Sequence, residues 1–141
     1  MTTEDLKQYY TLPIQIDVLK IQLEKLKDES ESVVPEISDM PHNPNVSNRV
    51  EKYATAIHDL ENRIKQNEVL YWEIHRFIYS IPNPYIQTIF ITKYANAYNW
   101  ENVADAMGEG KDAKYYEDKV WKYFNRRNKK AVKAVNAVDI C

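Results

Sequence analysis

A long helical repeat of apolar residues in the middle of the chain constrains the fold more than any other feature. Its members follow one another at steps of three and four: Val50, Tyr53, Ile57, Leu60, Ile64, Asn67, Tyr71, Ile74, Ile78 and Ile81. This spacing places them on one face of an α-helix and is typical of a coiled-coil seam. We expect Ser47 to cap the helix and Pro82 to end it. Asn67, polar within the stripe, is the kind of residue that fixes register or oligomeric state.

A shorter apolar stripe precedes this helix. It begins beside Thr11 and Pro13, a capped start with proline in the first turn. Its members are Leu12, Ile16, Leu19, Leu23 and Leu26. Two antiparallel helices that share one seam would form a hairpin. Because the second helix is much longer, the rest of its stripe needs the C-terminal part of the chain or a second copy, which predicts a homo-oligomer formed through the coiled coil.

Prolines and polar residues divide the chain. Pro35, Pro41 and Pro44 stand among serines and acidic residues and predict a polar connector at 28–48. The predicted parts are a helical hairpin, partly coiled coil, over 1–80, a helical module over 81–130 and a tail over 131–141.

The module contains three shorter predicted helices. The first covers 85–97. The second, Trp100–Met107, follows Asn99 as N-cap and ends at Gly108 in a left-handed C-cap. Asp112 caps the last helix. The residues expected to face inward are Ile86, Ile89, Phe90, Tyr94, Val103, Ala104, Met107, Tyr116, Val120, Tyr123 and Phe124.

Composition excludes several classes of function. The chain has 141 residues, 44% hydrophobic and 28% charged, which is typical of a soluble globular protein. No stretch approaches the roughly 20 apolar residues of a membrane-spanning helix. Charged residues near the N-terminus argue against a signal peptide, so we expect a cytoplasmic protein with no membrane partner. Two glycines are too few for a phosphate-cradling loop, and no cofactor is expected.

Catalysis and metal binding are not expected either. The single cysteine, Cys141, is the last residue, which excludes a disulfide framework and a thiolate zinc site. The histidines lack the spacing of metal ligands; they are His42, His58 and His75. We expect the tryptophans to pack in helical cores; they are Trp72, Trp100 and Trp121.

Charge is distributed unevenly along the chain. Residues 1–80 carry nine basic and fourteen acidic side chains, whereas 111–133 carry nine basic and three acidic ones. A basic stripe of this kind is typical of a surface that binds a polyanion. The alternative is a solvated helix end with no partner.

Two short helices joined by a glycine turn to a basic helix are typical of a helix-turn-helix DNA reader. The first turns of the last helix would read base edges, and its later positions would contact phosphates. The candidate base-reading residues are Lys114, Tyr115 and Asp118. The candidate phosphate contacts are Lys119, Lys122, Arg126, Arg127, Lys129 and Lys130. Lys111 precedes them and completes the candidate interface with double-stranded DNA.

The segment from Ile81 to about Arg127 resembles region 4 of bacterial sigma factors, in the version found in RinA/ArpU-type phage late transcriptional regulators. The residues that carry the resemblance are Ile81-Pro82, Ile89, Lys93-Tyr94, Trp100, Val103-Ala104 and Met107-Gly108. The front end is similar too, with Met40-Pro41-His42 in the connector and Val46-Ser47-Asn48-Arg49-Val50 opening the long helix.

The resemblance implies an all-α fold with a sigma-region-4-like helix-turn-helix module. It also implies a DNA-binding activator of phage or mobile-element transcription in a bacterial host cell, with RNA polymerase as a further partner. The family usually carries a glycine between its first two helices. Here 95–98 occupies that turn without one, which predicts a turn that avoids positive φ.

Two other functions fit the sequence. A small terminase subunit would combine a helix-turn-helix with an oligomerising coiled coil and bring DNA to a packaging motor. A helical protein-interaction module would use the basic helix to bind an acidic protein. A ring of about eight or more subunits indicates packaging, and failure to bind any duplex indicates an interaction module.

Overall fold

The computed structural model describes residues 1–33 and 44–139, with the side chains of 1–32 and 48–126. Within these ranges the chain is helical with no strand, which confirms the all-α class. The helices are α1 Thr3–Lys7, α2 Thr11–Val33, α3 Pro44–Tyr79, α4 Pro84–Phe90, α5 Trp100–Met107 and α6 Ala113–Asp139. A π-helical turn, Ile91–Ala95, follows α4 directly. None of the helices in the described ranges is both long and apolar enough to cross a membrane.

The predicted connector at 28–48 is wrong at both ends. Helix α2 continues to Val33, and α3 already begins at Pro44. Residues 28–33 contain no proline or glycine to stop a helix, and proline is tolerated at a first helical position. Ser47 therefore lies inside α3 and is not its N-cap. The rest of the connector lies outside the described residues.

The chain forms two compact units. One consists of Met1–Tyr10 and the chain from His75 onward, and the other is Thr11–Ile74. The predicted division after residue 80 placed α1 and the end of α3 with the hairpin. In the structure these segments belong with the later helices, because Leu6 is fully buried there and the Tyr9 hydroxyl is hydrogen-bonded to His75 Nδ1 at 2.9 Å.

In the unit Thr11–Ile74, α2 and α3 pack along an apolar seam. Its centre is formed by Ile16, Leu19 and Ile64, with Leu23 and Leu60 packed against them. Two ion pairs show the direction of the helices; they are Lys20–Glu68 at 3.3 Å and Lys27–Glu61 at 3.6 Å. A step of seven forward along α2 is a step of seven backward along α3, so the helices are antiparallel. These exposed ion pairs contribute little energy, and burial of the seam stabilises the pairing.

Helix α2 carries a second apolar stripe in addition to its seam residues. Ile14, Val18 and Ile21 are spaced by four and three residues and are 52%, 49% and 66% exposed. A groove beside the stripe is lined by α2 residues and by Arg63, Gln66 and Asn67 of α3. Asn67 is half-buried, as its place in the seam predicts.

The other unit has an aromatic core. All three phenylalanines of the chain meet there: the rings of Phe77 and Phe124 stack at 5.5 Å, and Phe90 lies 6.0 and 5.7 Å from them. Phe90 also contacts the rings of Tyr94 and Tyr123. The end of the α3 stripe is buried in this unit, where Ile78 and Ile81 are almost completely covered. This core fixes α4 and α6 relative to each other.

The turn between the π-helical segment and α5 differs from its prediction. Ala97 adopts a φ of 54°, in the left-handed region that favours glycine. The expectation that 95–98 avoids positive φ is therefore wrong. Lys93 supports the turn, because its Nζ donates to the Tyr98 carbonyl at 2.6 Å and lies 4.9 Å from the centre of the Trp100 ring. The chain thus keeps the geometry of a glycine turn with an alanine in the strained position.

Replacing Ala97 with glycine is expected to stabilise the protein by about 1 kcal/mol. Glycine adopts positive φ without the steric cost that an alanine Cβ meets, and this relief exceeds its larger entropy loss on folding. Chemical denaturation measures the difference. Ala106→Gly, at an exposed position within α5, is the matched control and should destabilise by about 1 kcal/mol. Destabilisation by Ala97→Gly as well would show that the turn is not strained.

Candidate nucleic-acid interface

Three capping interactions build the segment from α5 to α6. The Asn99 side chain accepts a hydrogen bond from the Asn102 N–H at 2.7 Å and begins α5. Gly108, with a φ of 65°, ends it in the left-handed conformation. The Asp112 carboxylate accepts from the Tyr115 N–H at 3.0 Å in the first turn of α6. All three predicted caps are therefore confirmed, and they set where α6 begins.

One face of α6 is fixed in the core. Tyr116 is fully buried, and Val120 and Phe124 are nearly so. The helix packs against both α4 and α5, and Val103 of α5 is also fully buried. Because residues three and four apart share a helix face, the opposite side of α6 projects outward.

The structure places the described interface residues of α6 on or beside this outward side, and Lys111 lies just before the helix. Lys111, Lys114, Asp118, Lys122 and Arg126 are exposed, and Tyr115 and Lys119 are half-buried. The other predicted phosphate contacts lie within the backbone span of α6, but their side chains fall outside the described residues; they are Arg127, Lys129 and Lys130.

Two lysines of the same chain lie within cation–π distance of the Tyr115 ring. Lys111 Nζ lies 5.4 Å and Lys119 Nζ 5.3 Å from the centre of its ring. The ring also meets that of Tyr116 edge-on, at 5.2 Å and 90°. Tyr115 was predicted to read bases together with Lys114 and Asp118, but unlike them it is half-buried and its ring is already in contact with cations.

Glu109 joins three parts of the module. Its carboxylate accepts hydrogen bonds from the Tyr85 hydroxyl of α4 at 2.8 Å and from the Tyr116 hydroxyl of α6 at 3.3 Å. Loss of hydration raises the pKa of Tyr85 above its ordinary value, and the hydrogen bond to Glu109 raises it further. Burial also raises the pKa of Tyr116, with the charge of Glu109 adding to the effect. Both hydroxyls therefore stay protonated and keep the turn after α5 in place.

The expectation that all three tryptophans lie in the core is wrong. Trp121 on α6 is 65% exposed and Trp72 on α3 is 52% exposed, while Trp100 is half-buried beneath Lys93. Helical periodicity places Trp121 on the exposed side of α6, because it lies seven residues after Lys114 and three after Asp118. The position of Trp121 on the helix decided its exposure, against the general preference of tryptophan for burial.

Alkaline pH is expected to unfold the unit that has the aromatic core. Burial raises the pKa of Tyr94 from 10.0 to about 12, and the pKa values of Tyr85 and Tyr116 are raised as well. A raised pKa means that the folded state holds its proton more tightly than the unfolded state. The resulting stability is complete below pH 10 and is lost as pH rises towards about 12.

Tyr94→Phe removes one of these titrating groups, so its alkaline unfolding should be shifted to higher pH than that of the parent chain. Circular dichroism across an alkaline titration follows the unfolding, and tyrosinate absorbance follows the ionisation. Identical transitions for the parent and the variant would contradict a buried Tyr94 hydroxyl.

The described part of the chain contains no group of three or more histidine, cysteine, aspartate or glutamate side chains arranged to hold a metal ion. Comparison of the chain with protein-family models, with curated proteins and with solved structures gave no match.

Proposed function

We propose that the protein is a non-catalytic, sequence-specific DNA-binding regulator that activates transcription in a phage or mobile element, as its resemblance to RinA/ArpU-type regulators implies. In this proposal the segment from α4 to α6 acts as a sigma-region-4-like helix-turn-helix, and RNA polymerase is a further partner. The observation that carries the proposal is the outward face of α6. It exposes Lys114, Asp118, Lys122 and Arg126 on a helix whose other face is fixed in the core.

The charge of this face supports binding to a polyanion. Residues 111–133 carry a net charge of +6, from nine basic and three acidic side chains. Among the described residues, the ion pairs involve Lys7, Lys20 and Lys27, none of which lies on α6. The exposed cations of α6 are therefore available to pair with phosphates. Neutralising the phosphates releases counterions from the duplex.

Asp118 supports sequence reading over non-specific binding. A carboxylate on a DNA-facing helix repels phosphates, but it accepts a hydrogen bond from the amino group of cytosine in the major groove. Asp118 is exposed in the second turn of α6, close to the end that groove-entering helices present to bases. Lys114, exposed in the first turn, has the chemistry to donate to guanine.

Self-association through the unit Thr11–Ile74 is part of the proposal. The exposed stripe of Ile14, Val18 and Ile21 is an apolar surface on a helix whose opposite side is already packed. An exposed apolar stripe of this kind marks an interaction site, because a second apolar face that covers it removes both from water. A dimer would present two copies of α6 to two half-sites.

A protein-interaction module is the second candidate, and the exposure of Trp121 favours it. Tryptophan is enriched among the residues that dominate the energy of protein interfaces. At 65% exposed, Trp121 offers a large apolar contact on the same helix as the cations.

Selection of bound duplexes from a random pool separates these functions. An enriched motif supports a sequence reader, and a two-fold symmetric motif supports a dimer. The mass in solution should be that of a dimer for the proposed regulator, and that of a ring for a packaging subunit; a monomer would contradict the self-association but not the DNA binding. Recovery of no duplex even at low salt would refute the proposal and favour the protein-interaction module.

A further inference from the structure

We propose that Tyr115 is a positioning residue that holds Lys111 and Lys119 as a pair for the phosphate groups of a DNA strand. This inference rests on the proposed function and changes the role of Tyr115 from reading bases to positioning two lysines that bind phosphates. We call the three residues the lysine–tyrosine clamp.

The spacing of the clamp explains its geometry. Tyr115 and Lys119 are four positions apart on one side of α6, and Lys111 lies in the turn just before the helix, two residues ahead of Ala113. Both ammonium nitrogens lie within the roughly 6 Å over which a cation is attracted to the face of an aromatic ring; their distances from the ring centre are 5.4 and 5.3 Å.

The ring is itself held in place. It packs edge-on against Tyr116, which is fully buried and donates its hydroxyl hydrogen to Glu109. Tyr115 is therefore a fixed support for two flexible side chains. A lysine loses rotamer entropy when it is immobilised by a phosphate, and a contact that restricts it beforehand reduces that loss.

The two ammonium groups, and not the N-terminus of α6, supply the positive charge that a phosphate would meet. The Asp112 carboxylate already occupies the N-terminus of α6, since it accepts the hydrogen bond of the Tyr115 N–H. The amide groups of the helix end are thus partly satisfied, and the lysines supply the positive charge. A lysine ammonium is a compact point charge that suits a phosphate oxygen.

The experiment uses the full chain and labelled duplexes of random and of selected sequence, with binding measured at several salt concentrations. Tyr115→Ala should weaken binding to both duplexes by roughly 5- to 30-fold, because two lysine side chains that the ring restricted must then be ordered on binding. Tyr115→Phe keeps the ring and should bind both duplexes within about twofold of the parent chain. Thermal unfolding of each variant verifies that the module is folded.

A variant cycle distinguishes positioning from direct contact. Lys111→Ala with Lys119→Ala should lower the slope of log affinity against log salt by about 2. Adding Tyr115→Ala to this pair should have no further effect, because the ring then has no cations to hold.

Three results would overturn the clamp. They are parent-like binding by Tyr115→Ala, a loss in Tyr115→Phe that equals the loss in Tyr115→Ala, or a full further loss when Tyr115→Ala is added to the lysine pair. If the parent chain binds no duplex at any salt concentration, the proposed function fails and the clamp fails with it.

Discussion

Phe90→Ala is expected to destabilise the unit with the aromatic core by about 3–5 kcal/mol, the range for truncating a buried large aromatic residue. Phe90 is fully buried, and its ring contacts those of Phe77, Phe124, Tyr94 and Tyr123. Its removal leaves a cavity at the point where α3, α4 and α6 meet. Chemical denaturation followed by near-ultraviolet circular dichroism reports directly on the packing of these rings.

Trp121→Ala is the matched control for this prediction. It also removes an aromatic ring from the same unit, but Trp121 is 65% exposed, so the expected change is below about 1 kcal/mol. Equal losses in the two variants would contradict the aromatic core described above.

Replacing both Lys122 and Arg126 with alanine is expected to have the largest effect on DNA binding. Both side chains are exposed on the outward face of α6. If each neutralises one phosphate, the slope of log affinity against log salt falls by about 2, and affinity falls on every duplex whatever its sequence. Fluorescence anisotropy with random and selected duplexes measures both quantities.

The control changes the same net charge elsewhere. Lys52→Ala with Lys65→Ala removes two exposed lysines from α3, in the other compact unit. This pair should bind DNA almost as the parent chain does. Equal losses in the two pairs would indicate that only net charge matters, and no loss in the Lys122/Arg126 pair would assign the basic face to another partner.

The sequence was most informative where local chemistry decides structure. The caps at Asn99, Gly108 and Asp112 were predictable from residue type. Asn99 and Asp112 accept hydrogen bonds from backbone N–H groups at the starts of helices, and Gly108 ends α5 with a positive φ. The inward face of α6 was predictable from its 3.6-residue period, and Tyr116 and Val120 are buried as expected.

The sequence was less informative where tertiary contacts decide. The position of α1 depends on the burial of Leu6 and on the hydrogen bond between Tyr9 and His75. That hydrogen bond joins residues 66 positions apart. The strained φ of Ala97 follows from the geometry of the turn and overrides the preference of alanine.

The sequence predicted which residues of the candidate interface are exposed better than it predicted what each of them contacts. Periodicity indicated that Lys114, Asp118 and Lys122 project outward. It gave no information on side-chain contacts, such as those of Tyr115 with its two lysines, because these depend on rotamers. Trp121 was misassigned because residue type was given more weight than register.

The central claim is that α6 delivers a basic face to duplex DNA, and the salt dependence of binding by the parent chain tests it most directly. Six phosphate contacts were predicted on this helix, which corresponds to a slope of log affinity against log salt of about −5. We expect measurable binding to random duplex at low salt, a steep linear fall of log affinity with log salt, and tighter binding to a selected motif. Absence of binding at the lowest salt concentration, or an affinity that does not change with salt, would contradict it.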